Sequence, residues 1–149
     1  MDKLDVGLKK RLIRAQPCFS ILTEQELDEL EPLFIEKHIP EGEVIVNEGD
    51  FVDSVYLIVK GTADVRHVSI ENNTTKIDSL ATLESGGAIG LNESGFYSLS
   101  GVRTATVVAK SDMVLLRLSV AAFHGFTLMN SHVNEAMRKY ARDLLGMKS

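Results

Sequence analysis

The sequence predicts a mainly β fold with flanking helices, in which many short strands form a sandwich or barrel. Three features indicate this class: helical periodicity at both ends, strand-length runs rich in Val, Ile and Thr between them, and glycine-bearing turns. A chain of 149 residues is long enough for one domain with a substantial core but short for two. We therefore predict a single domain over 1–149, with helices over 1–33, strands over 34–118 and helices over 119–149.

The N-terminal region carries two helix signals, which Pro17 separates. Leucines at every fourth position up to Leu12 are spaced for one face of a first helix. Thr23 and Glu26 have the spacing of a capping box, in which each side chain accepts a hydrogen bond from the other residue's backbone N–H. A second helix is therefore predicted to begin directly after Thr23.

In the central region the hydrophobic pattern changes from helical spacing to the short apolar runs that are typical of strands. Six runs are candidate strands, namely 43–47, 54–60, 62–69, 76–83, 104–110 and 112–118. Gly42, Gly49 and Gly61 fall between them, and 72–75 and 110–112 have the composition of turns. Helical spacing returns after residue 119, with a stripe that comprises Val133, Met137, Tyr140 or Ala141, and Leu144.

Composition and charge exclude several classes of function. The net charge of −5 argues against non-specific nucleic-acid binding, which requires a basic surface. No apolar run reaches the length of a membrane span, and the N-terminus lacks the basic-then-apolar order of a secretory signal. The single cysteine, Cys18, forms no internal disulfide and fits a reducing compartment, where we expect it to be buried rather than reactive. These features predict a cytoplasmic protein without a membrane span.

A glycine-rich loop precedes a single arginine and the strand that follows it. Five of the eleven glycines fall between Gly86 and Gly101, and the loop ends in Arg103, Thr104 and Ala105. Glycine clusters allow a backbone to approach a ligand closely. A planar guanidinium grips a phosphate in two places, and loop N–H groups can complete the cradle. The pattern therefore indicates an anion clamp, although glycines alone are equally typical of a flexible surface loop.

Several motifs together resemble the cyclic nucleotide-binding domain of catabolite activator proteins, cyclic-nucleotide-dependent kinases and gated channels. Their order and spacing over about 16–145 carry the resemblance: Pro17-Cys18-Phe19, Glu41-Gly42-Glu43, Glu48-Gly49-Asp50, Tyr56-x-Ile58-x-x-Gly61, Leu83-x-x-Gly86-x-x-Ile89-Gly90 and Arg103-Thr104-Ala105-Thr106. The resemblance implies a double-stranded β-helix, or jelly roll. It also implies a phosphate-binding cassette over 86–106, with hinge and lid helices over 119–149.

The resemblance also implies a ligand and its contacts. Arg103 would pair with the cyclic phosphate, helped by backbone amides after Gly90 and at Ala105. A hydroxyl at Thr104 favours cyclic GMP over cyclic AMP, and Tyr140 is the candidate cap on the base. The implied ligand-binding set is Ile89, Gly90, Leu91, Asn92, Glu93, Arg103, Thr104, Ala105 and Tyr140, with no cofactor other than the nucleotide.

The cassette departs from the family pattern in two ways. Leu91 follows Gly90 where the family has a glutamate that binds the ribose 2′-hydroxyl, and the cassette is also longer than usual. Glu93 could replace that carboxylate or pair with Arg103, and Leu91 could fill the pocket. Two alternatives follow. The site binds a cyclic nucleotide, weakly or in an altered pose, or it has degenerated and the domain serves as a protein-interaction module.

Other functions lack the residues that they require. A cupin-type metalloenzyme needs converging histidines, whereas the four histidines are scattered, and no hydrolase or phosphate-loop motif occurs. About 30 residues follow Leu118, and because the resemblance assigns them to the hinge and lid helices, we expect no direct DNA binding through a helix-turn-helix. We expect a non-enzymatic sensor in which the ligand shifts the packing of the helix at 130–146. That helix would contact an unknown protein partner or a second copy of the chain.

Overall fold

The computed structural model describes residues 5–91, 101–133 and 135. Its helices are α1 (Val6–Arg14), α2 (Glu24–Leu30) and α3 (Val120–Met129), and 131–133 is also helical. Its strands are β1 (Ile35–Ile39), β2 (Val44–Val46), β3 (Ser54–Lys60), β4 (Ala63–Glu71), β5 (Thr74–Leu83), β6 (Ala88–Ile89), β7 (Thr106–Ala109) and β8 (Met113–Ser119).

The strands form two four-stranded antiparallel sheets. One sheet has the order β1-β8-β3-β6, and the other has the order β2-β7-β4-β5. Strands adjacent in sequence mostly lie in different sheets or are separated within one, as in a jelly roll. The prediction of a mainly β roll with flanking helices is confirmed.

Two hydrophobic clusters explain why the central strands are apolar on both faces. Met113 and Leu115 of β8 point between the sheets, whereas Leu116 and Leu118 belong to a cluster beneath the helices. That second cluster also contains Phe19, the T-shaped partner of Phe34. Because β3 and β8 are covered on both sides, they appear in the sequence as continuous apolar runs rather than as an alternating pattern.

The N-terminal helices follow the predicted caps. The Thr23 hydroxyl accepts a hydrogen bond from the Glu26 backbone N–H at 3.1 Å, and the Glu26 carboxylate accepts one from the Thr23 N–H at 2.8 Å. In α1 the fully buried residue is Ile13, and Leu12 is only partly buried. Cys18 is buried as predicted, and this burial raises the pKa of its thiol to about 12.

The strands differ from the predicted ones in number and in bounds, and of the six predicted strands only 54–60 has the predicted bounds. β1 and β6 were not predicted, because β1 is mostly exposed with charged residues at its centre and β6 has only two residues. The predicted strand over 104–110 begins instead at Thr106, so Thr104 and Ala105 precede the pairing of β7. The hairpin tip is confirmed: Asn72 and Asn73 both have positive φ, as a two-residue type I′ turn requires.

Candidate ligand-binding cavity

A cavity of about 290 Å³ lies in the roll between the glycine-rich loop and the start of β7. This volume is at the lower end of those that hold small-molecule ligands. Its described lining combines one charged side chain, Arg103, with one hydroxyl, Thr104, and the backbone of Gly90. The other lining residues are apolar: Val46, Val52, Val65, Leu83, Ala88, Ile89, Leu91, Val102, Ala105 and Val107.

The backbone of Arg103 is fixed to the loop that connects β2 to β3. Its N–H donates to the carbonyl oxygen of Asp50 at 2.8 Å, and its own carbonyl oxygen accepts from the N–H of Gly49 at 2.9 Å. A further hydrogen bond joins the Val52 N–H to the Gly101 carbonyl at 2.8 Å. These contacts hold the residue at the cavity before the β7 pairing begins.

The Arg103 side chain is buried, with 6% of the residue exposed. Its Nη2 donates to the carbonyl oxygen of Ser54 at 2.7 Å and lies 3.6 Å from Oδ1 of Asp53. Its Nη1 is buried and, within the described part of the chain, has no hydrogen-bond partner. A guanidinium has five N–H donors, and a buried donor without an acceptor costs free energy. Nη1 is therefore the terminal nitrogen of Arg103 that still lacks an acceptor, in a residue that lines the cavity.

Gly90 packs directly against this unpaired nitrogen. Its φ is +82°, in the left-handed region that side chains other than glycine disfavour. A Cβ atom at this position would lie 2.6 Å from Arg103 Nη1 and 3.3 Å from the Ser54 carbonyl oxygen. Both the backbone conformation and the available space therefore require glycine here.

Burial and a nearby carboxylate have opposite effects on the pKa of Arg103. Burial lowers the pKa of the guanidinium, and Asp53 raises it in part. Asp53 is exposed, and its second oxygen lies 3.6 Å from Nη2 of Arg117 on β8. The exposed carboxylate thus faces two arginines, while the cavity side of Arg103 carries no acid among the described lining residues. An anion in this cavity would therefore meet no carboxylate among the described lining residues.

Six of the nine predicted site residues line this one cavity, namely Ile89, Gly90, Leu91, Arg103, Thr104 and Ala105. Asn92, Glu93 and Tyr140 lie outside the described residues. Leu91 is partly buried and faces the cavity, but the cavity is not closed by it. The arginine is therefore turned inward beside open space, rather than exposed to solvent or covered by aliphatic carbons.

The sequence analysis did not identify the residues that orient the arginine. Ser54 supplies a carbonyl oxygen and Asp53 a carboxylate, and both lie about 50 positions earlier in the chain. The Glu48-Gly49-Asp50 motif marked this loop, but only as a turn. Backbone acceptors carry no sequence signal, so only the three-dimensional arrangement shows their role.

The site has the chemistry of an anion receptor with an apolar body. A buried guanidinium can bind one anionic group, and the surrounding aliphatic side chains favour a ligand with apolar or aromatic surface. Within the described residues, no group of three or more His, Cys, Asp or Glu is placed to hold a metal ion. In the same part of the chain, no helix has the length and apolar character of a membrane span.

Comparisons with known proteins agree with this geometry. The family model of the cyclic nucleotide-binding domain matches residues 36–130. This range is more than half of the chain and contains every described residue that lines the cavity.

Solved structures share the fold. The N-terminal domain of a transcriptional regulator from Streptomyces coelicolor A3(2) is 22% identical with a TM-score of 0.75, and the match covers 90% of each chain. The cAMP-bound PfPKA-R is 25% identical with a TM-score of 0.71, over 85% of this chain and 43% of that one. Thermus thermophilus Catabolite Activator Protein is 24% identical with a TM-score of 0.66, over 87% and 58%. The present chain thus spans about half of the length of the last two proteins.

Proposed function

The chain belongs to the cyclic nucleotide-binding domain family, and we propose that its roll binds a cyclic nucleotide with the phosphate on Arg103. The observation that carries this proposal is that Arg103, which lines the cavity, has a buried Nη1 with no partner among the described residues. A cyclic phosphate supplies a single negative charge and two free oxygen acceptors, which suit a guanidinium. The apolar lining suits the purine and the sugar carbons.

The burial of the guanidinium favours this assignment. A buried cation without an acceptor loses the solvation that it had in water, and its carbonyl contact with Ser54 compensates only one nitrogen. We propose that a bound phosphate oxygen supplies the acceptor that Nη1 lacks. Backbone N–H groups that follow Gly90, and that of Ala105, are proposed to complete the cradle.

Leu91 supports a second candidate function. In place of a carboxylate it presents an aliphatic side chain to the cavity, so it cannot accept a hydrogen bond from a ribose hydroxyl. One such bond to a charged group contributes about 1.5–3 kcal/mol, which corresponds to about ten- to a hundredfold in affinity. The binding is therefore expected to be weak unless Glu93 compensates. A chain that binds no nucleotide would instead serve as an interaction module.

We propose that the effect of ligand binding is transmitted through the helical segment that follows the roll. Asn130 donates to Glu29 of α2 at 2.9 Å, and His132 lies 3.1 Å from the Glu26 carboxylate. These contacts connect the segment after α3 to the N-terminal helices. We infer that a ligand which favours one packing of this segment would expose or cover a surface for a protein partner in the cytoplasm. In this account the domain regulates its partner and catalyses no reaction.

Calorimetric titration with cyclic AMP and cyclic GMP tests the proposal. The wild-type chain is compared with Arg103→Met, which removes the cavity cation, and with Arg117→Met, which removes the neighbouring arginine outside the cavity lining. We expect saturable heat for the wild type and for Arg117→Met. Arg103→Met is expected to bind at least about tenfold more weakly, because the charged hydrogen bonds to phosphate are lost.

Circular dichroism and thermal unfolding of both variants check that each is folded. A wild-type chain that gives no heat with either nucleotide would refute nucleotide binding and favour the interaction module. Equal affinity in the wild type and in Arg103→Met would refute the assigned role of the arginine.

We further propose a preference for cyclic GMP, which rests on Thr104. Its side chain is at the cavity lining and is exposed, so its hydroxyl is available to a guanine. In Thr104→Ala, the affinity for cyclic GMP should fall relative to that for cyclic AMP. If the ratio of the two affinities is unchanged, Thr104 does not select the base.

A further inference from the structure

Strand β5 is a long sheet edge without a partner among the described strands. In the order β2-β7-β4-β5 it pairs only with β4. It has 10 residues, whereas the other three edge strands have five, three and two. Its residues are almost all exposed, so its outer backbone N–H and C=O groups are open to pairing. Of the described edges, β5 is the longest and offers the most backbone groups to an added strand.

The outer half of the β4–β5 hairpin also exposes apolar side chains. Val68 pairs with Ile77 across the two strands, and these residues are 41% and 57% exposed. Ile70, on the same face of β4 as Val68, is 76% exposed. A row of branched side chains on an edge hairpin gains free energy when further strands extend it.

The charges along β5 complement a second copy of the same strand in one register. When two identical antiparallel strands are related by a twofold axis normal to the sheet, one residue lies opposite its own copy. With the axis at Ile77, Lys76 of each copy lies opposite Asp78 of the other, and Thr75 lies opposite Ser79. With the axis at Lys76 or at Asp78, two like charges face each other, which destabilises the pair.

We propose that two copies of this chain dimerise by antiparallel pairing of β5 with β5, centred on Ile77. The pairing joins the two hairpins into one continuous sheet and creates a row Val68–Ile77–Ile77–Val68 across four strands. Two Lys76–Asp78 pairs flank this row and fix its register. The proposal concerns the outer edge of the hairpin and does not depend on what the cavity binds.

Charge reversal on the full chain tests the register directly. Lys76→Asp makes every facing pair acidic, and Asp78→Lys makes every facing pair basic. Sedimentation velocity over a range of concentrations should show a dimer for the wild type and at least about tenfold weaker dimerisation for each single variant. An equimolar mixture of the two variants should restore a dimer, because each acidic strand then faces a basic one.

Lys37→Asp is the matched control. It makes the same charge change at an exposed position on β1, an edge strand of the other sheet, and it should leave dimerisation unchanged. A wild-type chain that stays monomeric at all concentrations would overturn the proposal and leave the edge to a strand of another protein. Single variants that dimerise as well as the wild type, or a mixture that stays monomeric, would also overturn it.

Discussion

The absence of a side chain at Gly90 is what allows Arg103 to lie beside the cavity with one nitrogen unpaired. The glycine has a φ of +82°, and a Cβ atom there would lie 2.6 Å from Nη1. The carbonyl oxygen of Ser54 holds the other terminal nitrogen at 2.7 Å. The position of the guanidinium therefore depends on one backbone acceptor and on one missing methyl group.

Gly90→Ala should lower both stability and ligand affinity. The left-handed φ costs alanine about 1–2 kcal/mol, and the new methyl group displaces the guanidinium from its place beside the cavity. Gly42→Ala is the control, because Gly42 has a similar φ of +88° but no atom within 4 Å of its Cβ position. Denaturant unfolding should show a loss of stability in both variants, and calorimetry should show weaker nucleotide binding in Gly90→Ala alone. Equal binding by both variants would contradict the close fit at Gly90.

At the scale of single residues, the sequence identified residues that line the cavity but not the residues that hold Arg103 in place. Arg103 and Gly90 were identifiable because their residue types and spacing follow a family pattern, and Leu91 because it departs from that pattern. Ser54 contributes through its carbonyl oxygen, which every residue possesses, so its identity carries no signal. Asp53 is an exposed carboxylate that becomes relevant only where the fold brings β3, β8 and the loop at 101–103 together.

Helix α2 contacts the segment after α3 through two carboxylates, of which Glu29 pairs with Asn130 and Glu26 with His132. Burial raises the pKa of Glu26, but hydrogen bonds from the Thr23 backbone and from His132 outweigh it, so the pKa is lowered overall. A lowered carboxyl pKa contributes stability above the ordinary carboxyl range. That contribution is lost as the pH falls through the folded-state pKa.

Glu26→Gln should therefore lose more stability near neutral pH than in acid. The glutamine cannot accept charge-assisted hydrogen bonds, and protonated Glu26 cannot do so either, so the two chains converge as the carboxyl protonates. Denaturant unfolding at several pH values between about 7 and 3 measures the difference in free energy. Glu24→Gln is the control, since Glu24 makes only an exposed ion pair with Arg14. A gap that stays constant with pH would contradict the role of the Glu26 carboxylate.

Elements whose own residues favour them were predicted from the sequence. Strands that depend on pairing with a distant strand were not. The capping box marks the start of α2, and Asn72-Asn73 marks the hairpin, because in each case the residues make the structure themselves. Strand β1 is defined instead by its pairing with β8, and its Glu36, Lys37 and His38 give no strand pattern. Strand β6 has two residues and depends on its contacts with β3.

For the whole molecule, ligand binding to the folded state should raise the unfolding temperature. A cyclic nucleotide at about 100 times its Kd stabilises the native state by about 2.7 kcal/mol. For a chain of this size that corresponds to about 5–10 °C. Thermal unfolding with and without nucleotide measures the shift, which at the same nucleotide concentration should fall to about half or less in Arg103→Met, because its binding is at least about tenfold weaker. An equal shift in that variant would show that the nucleotide binds elsewhere.

The fold class was predictable from the whole chain because composition and periodicity are distributed along it. The pairing order of the two sheets was not, since it depends on contacts between distant segments such as β2 with β7 and β1 with β8. The exposed edge of β5 belongs to the same category. The charges of Lys76 and Asp78 can be read from the sequence. They can face a second strand only because β5 lies at the edge of its sheet.

The guanidinium resonances of Arg103 provide the most direct measurement of whether the cavity holds a cyclic phosphate. In a ¹⁵N-labelled chain they are assigned by their absence from Arg103→Lys and are followed while cyclic GMP or cyclic AMP is added. We predict a saturable shift of these resonances that reports a new acceptor on the unpaired Nη1. Resonances that remain unchanged at nucleotide concentrations that saturate the chain, or a chain that never saturates, would contradict the account.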